Sequence, residues 1–390
     1  MSVAAIAEIF WTFFRLGLIA FGGPLAHLGY YRRWFVEQRQ WMSDGAYAQL
    51  VALGQMLPGP SSSQTGFAIG IHRAGLAGGL AAWVGFTLPS AVLMIGLGIG
   101  LQRVEDLAES GWLNGLKLAA IAVVAQAVYG MARQLCPDPT RAIIAAAAAL
   151  GASLIPGISG QLGVIMVGGL AAMLLLSPPA SGPGDLRVPM RRRTGLMALG
   201  LFVLGLGVIA LPGSSESLWG VLYRSGALVF GGGHVVLPLL ETGLVTPGLI
   251  DNDRFLAGYG AAQAVPGPIF TFGGYLGAQI APGQAVAAGL LGVALIFAPG
   301  LLLMTALLPF WHSLSKWHRI QQALLGINAA VVGLLAAVLW NPLLTRGITD
   351  PADALIAAAA LAALTAGRAP SYLVVAACAI AGEVALRLTG

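Results

Sequence analysis

Charged residues are scarce in this chain: they make up 9% of its 390 residues, where a soluble domain carries about 25%. So few charges cannot cover a water-facing surface, which excludes an ordinary soluble enzyme or binding domain. Cysteine is scarcer. Cys136 and Cys378 are the only two, far apart and in no CxxC or Cys/His cluster, so neither a disulfide framework nor a metal site is expected, and no cofactor is implied. Strict alternation of apolar and polar residues is missing, which argues against a membrane β-barrel. The run over residues 1–14 has no basic region ahead of it, Glu8 lies inside it and Arg15 follows, so it is expected to persist as a membrane segment rather than be cleaved as a signal peptide. No HExxH or phosphate-binding loop occurs. Gly182-Pro183-Gly184-Asp185 fits an intramembrane aspartyl protease string but falls in a polar stretch, and Ser313-Leu314-Ser315-Lys316 has a Ser/Lys spacing in a basic loop. Neither context suits catalysis, so an enzyme is not expected.

What the sequence does have is apolar length. Hydrophobic residues make up 57% of it, and runs near 20 residues cover 81–101, 113–135, 196–211, 285–308 and 324–340. Such runs cross a hydrocarbon core of about 30 Å as helices. The lipid bilayer is therefore the expected surrounding. The net charge of +5 reads as cytoplasmic loop marking rather than as a nucleic-acid surface. Gly 55 and Pro 22 lie within the apolar runs, where small residues let helices approach and backbones break.

The chain also repeats itself. Arg15-Leu-Gly17-Leu-Ile-Ala-Phe21-Gly22-Gly23-Pro24 is followed by Gln55-Met-Leu-Pro58-Gly59-Pro60; Arg224-Ser-Gly226-Ala-Leu-Val-Phe230-Gly231-Gly232-Gly233 is followed by Gln263-Ala-Val-Pro266-Gly267-Pro268. Arg224 lies 209 residues after Arg15, and Gln263 lies 208 after Gln55. Pro89 matches Pro299, and Gly115-Leu-Lys117 matches Gly326-Ile-Asn328. The expected fold is all-α, a polytopic integral membrane protein of two homologous halves, residues 1–176 and 213–390. Residues 177–212 supply a basic linker with Arg187, Arg191, Arg192 and Arg193, and a connecting transmembrane helix. The loop 102–112 carries Arg103, Glu105, Asp106 and Glu109, whereas its counterpart 311–319 carries Lys316 and Arg319. Opposite bias at equivalent loops points to an inverted repeat, which with one connecting helix needs an even number of crossings per half, for example six plus one plus six.

Each half contains two places where a membrane helix ought to fail: Phe21-Gly22-Gly23-Pro24 with Phe230-Gly231-Gly232-Gly233, and Pro58-Gly59-Pro60 with Pro266-Gly267-Pro268. Proline removes a backbone donor and drives the preceding residue from helical angles. A broken or re-entrant backbone at bilayer depth is tolerated where it is buried in protein or lines a wet cavity, and matching interruptions in both halves point to a binding site. After Pro60 comes Ser61-Ser62-Ser63, where a half-helix should begin; its free amides and positive dipole end favour an anion. The serines either cap that helix or cap it and contact a ligand. The second half has Ile269-Phe270-Thr271 instead, so the two sites are unequal.

Few ionisable residues fall in apolar segments, where each is costly. Arg15 and Arg224 occupy equivalent positions and suit an oxyanion; the alternatives are snorkelling or an internal partner such as Glu8 or Glu216. Lys117 is a further candidate for substrate charge. His27 and His234, just past the first breaks, could sense protons, and Glu37, Asp44 and Glu241 could carry them. A structural role is the alternative for each.

The duplicated pair of motifs resembles the chromate transporter family, in its long two-domain form, over nearly the whole chain. The resemblance implies chromate efflux across the bacterial inner membrane, driven by the proton gradient and conferring chromate resistance, with sulfate as the natural look-alike. It places the family motif on Phe21 to Pro24, Gln55, Pro58 to Pro60, Phe230 to Gly233, Gln263 and Pro266 to Pro268. A carrier or channel for another inorganic anion is the alternative. The expected mechanism binds one oxyanion between the halves, held by the Pro-Gly-Pro half-helix ends and one or both arginines, with rocking of the halves exposing it alternately. Oligomeric state stays open, a homodimer among the alternatives.

Overall fold

A computed structural model of the chain describes residues 3–102, 110–155, 157–177, 186, 188–230, 233–314, 317–367 and 369–389. The charge contrast between the loops rests on Arg103, Glu105, Asp106, Glu109 and Lys316, which lie outside the described residues, as do Gly231, Gly232 and Arg187. The described residues form helices and no strands. The first half runs through α1 (Val3–Ile19), α2 (Gly23–Tyr31), α3 (Asp44–Met56), α4 (Ser61–Leu101), α5 (Gly111–Leu135), α6 (Pro139–Leu154) and α7 (Ile158–Leu175). After α8 (Arg192–Ile209) the second half follows with α9 (Leu218–Leu228), α10 (Val236–Leu240), α11 (Asn252–Ala264), α12 (Phe272–Ile280), α13 (Ala285–Leu307), the short α14 (Trp311–Leu314), α15 (His318–Val338), the short α16 (Thr345–Gly347), α17 (Pro351–Thr365) and α18 (Ser371–Thr389).

Both Pro-Gly-Pro motifs turn the chain back on itself. A methyl group placed on Gly54 of α3 would lie 2.8 Å from Thr65 Oγ1 of α4. Eleven residues of unbroken helix would separate these positions by about 16 Å. The second hairpin is built alike: a methyl on Gly258 of α11 would run into the Tyr275 ring of α12, and Phe255 meets Phe272 edge-on at 5.3 Å. Straight, α4 would be about 60 Å long, twice the bilayer core. It folds back at Ala74 and Gly75, where Gly75 takes φ +63°, and Gly70 then lies against the Gly78 carbonyl. The second half breaks openly at the corresponding place, between α12 and α13.

Lipid offers no hydrophobic drive for helices to associate, so close packing over small residues holds such helices together. A methyl on Gly17 would lie 2.6 Å from the Phe86 carbonyl oxygen, and one on Gly226 would run into that of Ile296; this seats α1 on α4 and α9 on α13. The next layer exchanges partners between halves. Gly115 of α5 abuts the Cys378 carbonyl of α18, and Gly326 of α15 abuts the Gly168 carbonyl of α7. Each half therefore wraps helices of the other.

Six described helical segments are long and apolar enough to cross a membrane: Ser61–Leu101, Gly111–Leu135, Ile158–Leu175, Arg192–Ile209, Pro282–Leu314 and His318–Gly347. These contain or overlap every apolar run noted in the sequence. The connecting α8 is peripheral, and its outer side exposes Leu196, Met197, Leu201, Val203 and Leu204. With Ile143, Met166 and Leu174, also outward, they give the molecule an apolar exterior of a kind that water-soluble proteins avoid.

Candidate functional site

The Pro-Gly-Pro tip of each half meets the chain just ahead of the Phe-Gly-Gly motif of the other. The amide of Gly59 donates to the carbonyl of Val229, 2.6 Å away, and the amide of Gly267 donates to that of Ala20 at 2.9 Å. Ala20 and Val229 immediately precede the Phe-Gly-Gly motifs, so the exchange is reciprocal. Both glycines take left-handed backbone, φ +125° at Gly59 and +103° at Gly267, which a side chain would strain. The Gln64 amide secures the first tip by donating to Pro58 O at 2.9 Å and to Gly300 O of α13 at 3.0 Å. Gly267 is held against Ser90 and Phe86 of α4.

Two cavities flank this crossing. The larger, about 340 Å³, is walled by Gly54, Gln55, Leu57, Gly59 and Ser61 of the first hairpin. A stripe of α5 (Gln126, Gly130 and Gln134) and Asn328 of α15 complete it. The smaller, about 200 Å³, is walled by Ala262, Gln263, Val265, Gly267 and Ile269 of the second hairpin, with Ser371 and Val123. Gly22, Pro24, Gln126 and His234 line both and form the partition between them. Among the described residues neither lining includes a Lys, Arg, Asp or Glu. The polar groups are amides, hydroxyls and one imidazole.

The partition histidine holds Tyr259 Oη at 2.9 Å from Nδ1. His27 is placed differently: it is buried off both cavities, its Nε2 3.0 Å from the Ala20 carbonyl and its Nδ1 3.2 Å from Ser62 Oγ. Since a carbonyl only accepts, Nε2 carries the proton and the Ser62 hydroxyl donates to Nδ1. The imidazole thus braces the carbonyl that also receives Gly267. The three serines divide their tasks. α4 starts at Pro60 without a side-chain cap; Ser61 faces the larger cavity, Ser62 holds His27, and Ser63 Oγ is buried with no hydrogen-bond partner. Thr271 donates to its own loop at Pro268 O, 2.9 Å.

The charged candidates lie elsewhere. The buried face of α1 carries Ile9, Phe13, Leu16 and Gly17, which leaves Arg15 outward beside the exposed Trp11 and Leu18. Glu8 pairs with Arg39 at 3.1 Å and Arg73 at 3.7 Å rather than with Arg15. Arg224 is half-buried in α9 and lines neither cavity. Lys117 pairs with Asp253 of α11 at 3.1 Å. Glu37 and Asp44 both grip Arg32 on the exposed surface, and Glu241 is half-buried beside Thr242 and Arg346, off the cavities. Of the predicted positions, the structure gathers Gly22, Gly23, Pro24, Gln55, Gly59, Ser61, Gly233, His234, Gln263 and Gly267 around the cavities. Pro58, Pro60, Pro266 and Pro268 shape the tips behind them. Sequence reasoning missed Gln126, Gln134 and Ser371. The first two could have been found: Gln126, Gly130 and Gln134 recur every four residues on a largely apolar helix, which puts them on one face.

A helical membrane protein of two homologous halves, with broken helices converging on polar cavities that no charged side chain among the described residues lines, has the build of a transporter. The family model described as "Chromate transporter" matches residues 7–174 and 217–383, and the chain belongs to the chromate transporter family. It is similar to a chromate transport protein of Cupriavidus metallidurans, 28% identical over 98% of this chain and 94% of the relative. A probable chromate transport protein of Synechococcus elongatus is 28% identical over 85% of this chain and 83% of its own. A chromate transport protein of Pseudomonas aeruginosa is 28% identical over 85% and 79%. No solved structure matches the chain. The chain is a multi-pass membrane protein of a transport family, which points away from catalysis.

Proposed function

We propose that this protein transports chromate, and sulfate as its tetrahedral look-alike, out of the cell across the bacterial inner membrane. The observation that carries the reading is the larger cavity, where Gln55, Ser61, Gln134 and the start of α4 converge without any charged side chain among the described residues. Neutral amides and hydroxyls replace the water that a dianion leaves behind, and the α4 N-terminus adds orphan backbone donors with a positive dipole end. A fixed guanidinium would hold the anion harder. Transport needs binding strong enough to admit the ion and weak enough to release it, which neutral donors serve.

In this reading the Pro-Gly-Pro hairpins re-enter the membrane from opposite sides as parts of an inverted repeat, and relative movement of the halves opens the cavity alternately. Proton coupling is assigned to His234, because of the five protonatable candidates it alone lines a cavity. Radiolabelled chromate uptake into inverted vesicles tests the whole. Expected are uptake stimulated by an imposed proton gradient and competition by excess sulfate. Gradient-independent flux that sulfate leaves untouched would favour the alternative, a passive pathway for another anion.

A further inference from the structure

The walls of the two cavities are the same wall, built twice. Gly54, Gln55, Leu57, Gly59 and Ser61 on the first hairpin correspond, each 208 residues on, to Ala262, Gln263, Val265, Gly267 and Ile269 on the second. Every one of the five pairs holds the same place in its own cavity. The halves therefore do not share one central pocket. They carry a pocket each, divided by Gly22, Pro24, Gln126 and His234.

We propose that the smaller cavity is a second oxyanion-binding site, so that each chain holds two anions, one on each side of the His234 partition. This rests on the oxyanion reading of the larger cavity and adds a site to it. Three observations carry it. Gln263 lines the smaller cavity, with its amide against the Tyr259 hydroxyl and its Nε2 buried without a hydrogen bond of regular geometry. That nitrogen carries two hydrogens, so at least one is left for an oxyanion oxygen, and a buried donor without an acceptor is costly. Second, the place of Ser61 is taken by Ile269, but the hydroxyl lost there is replaced by Ser371, which enters from α18 and at present donates to the Gln263 carbonyl at 3.0 Å. Third, no charged side chain among the described residues lines this cavity either, so its chemistry matches that of the first.

Position along α5 gives the pair a direction. Val123 and Gln126 face the smaller cavity and Gln126 to Leu135 the larger. Residues 123 and 135 are about 18 Å apart along the helix axis, over half of a bilayer core. The two sites are consecutive stations on one route, and the partition residues are what an anion must pass to go from one to the other.

The test is the number of anions bound by the full-length, detergent-purified chain, read by equilibrium dialysis with radiolabelled sulfate and repeated with chromate. Two per chain are expected. Gln263→Leu should remove one and leave the other, and a Gln55→Leu, Ser61→Ala variant should remove the complementary one. Ser371→Ala should weaken the same site as Gln263→Leu by about tenfold. Should Gln263→Leu fail to elute as a folded species, Ala262→Leu, which fills the cavity, replaces it. One anion per chain, removed by the Gln55→Leu, Ser61→Ala variant and untouched by Gln263→Leu, overturns the second site while sparing the first; one anion removed by Gln263→Leu alone overturns the larger-cavity reading together with the pair. No bound oxyanion at all overturns both.

Discussion

Gly59 and Val229 stand 170 residues apart in the chain, yet the amide of one donates to the carbonyl of the other across 2.6 Å. The bond joins the Pro-Gly-Pro tip of one half to the residue that precedes the Phe-Gly-Gly motif of the other. Its mate, Gly267 to Ala20, closes the crossing. Any movement of one half against the other must strain these bonds, so they couple the halves to the cavities between them.

That geometry makes the two tip glycines sensitive. A methyl on Gly59 would lie 2.8 Å from Gln64 Nε2 and 2.9 Å from the Gly300 Cα, on a left-handed backbone. Gly59→Ala should lower stability by about 1–3 kcal/mol and abolish chromate transport, and Gly267→Ala should act likewise. Gly29→Ala, where a methyl meets nothing within 4 Å, should leave both unchanged. Thermal unfolding of the purified variants and vesicle flux measure the contrast.

The arginines should be dispensable for binding. Arg15 faces outward and Arg224 lines neither cavity, so an Arg15→Ala, Arg224→Ala double variant should bind chromate within about twofold of the parent. A loss of tenfold or more in a titration would return the guanidinium to the site.

His234 should separate coupling from binding. His234→Gln keeps a polar amide on the partition but cannot take up a proton. Chromate affinity should fall no more than severalfold, while stimulation of flux by a proton gradient disappears. Undiminished stimulation in that variant would move coupling to another residue.

Lys117 should prove structural. Its ion pair with Asp253 ties α5 to α11, and Asp253 is 45% exposed, so the coupling should be at most about 1 kcal/mol. Unfolding of Lys117→Met, Asp253→Asn and the double variant gives that coupling directly. Chromate binding should survive in all three.

The features that could be read in advance were those decided by local covalent chemistry. Proline and glycine break helices wherever they lie, so Pro58-Gly59-Pro60 and its repeat marked the hairpin tips, and their duplication marked the two halves. Which face a residue presents is a tertiary matter. Arg15 was chosen because a charge in an apolar run is costly, yet α1 turns it outward, away from both cavities. Lys117 found its partner on a helix of the other half, and no periodicity reveals which helices exchange between halves. The polar lining was partly within reach: Gln55 and Gln263 lie in the motifs, whereas Gln126 and Gln134 needed attention to a stripe on α5. Ser371 reaches its cavity from the far end of the chain, and nothing local announces it.

The most direct measurement is a structure of the protein soaked in chromate, with the metal located by its anomalous scattering. The account predicts chromium in the larger cavity, its oxygens within hydrogen-bond reach of Gln55 and Ser61 and with no charged side chain in contact. Chromium beside Arg15 or Arg224, with that cavity vacant, would contradict it.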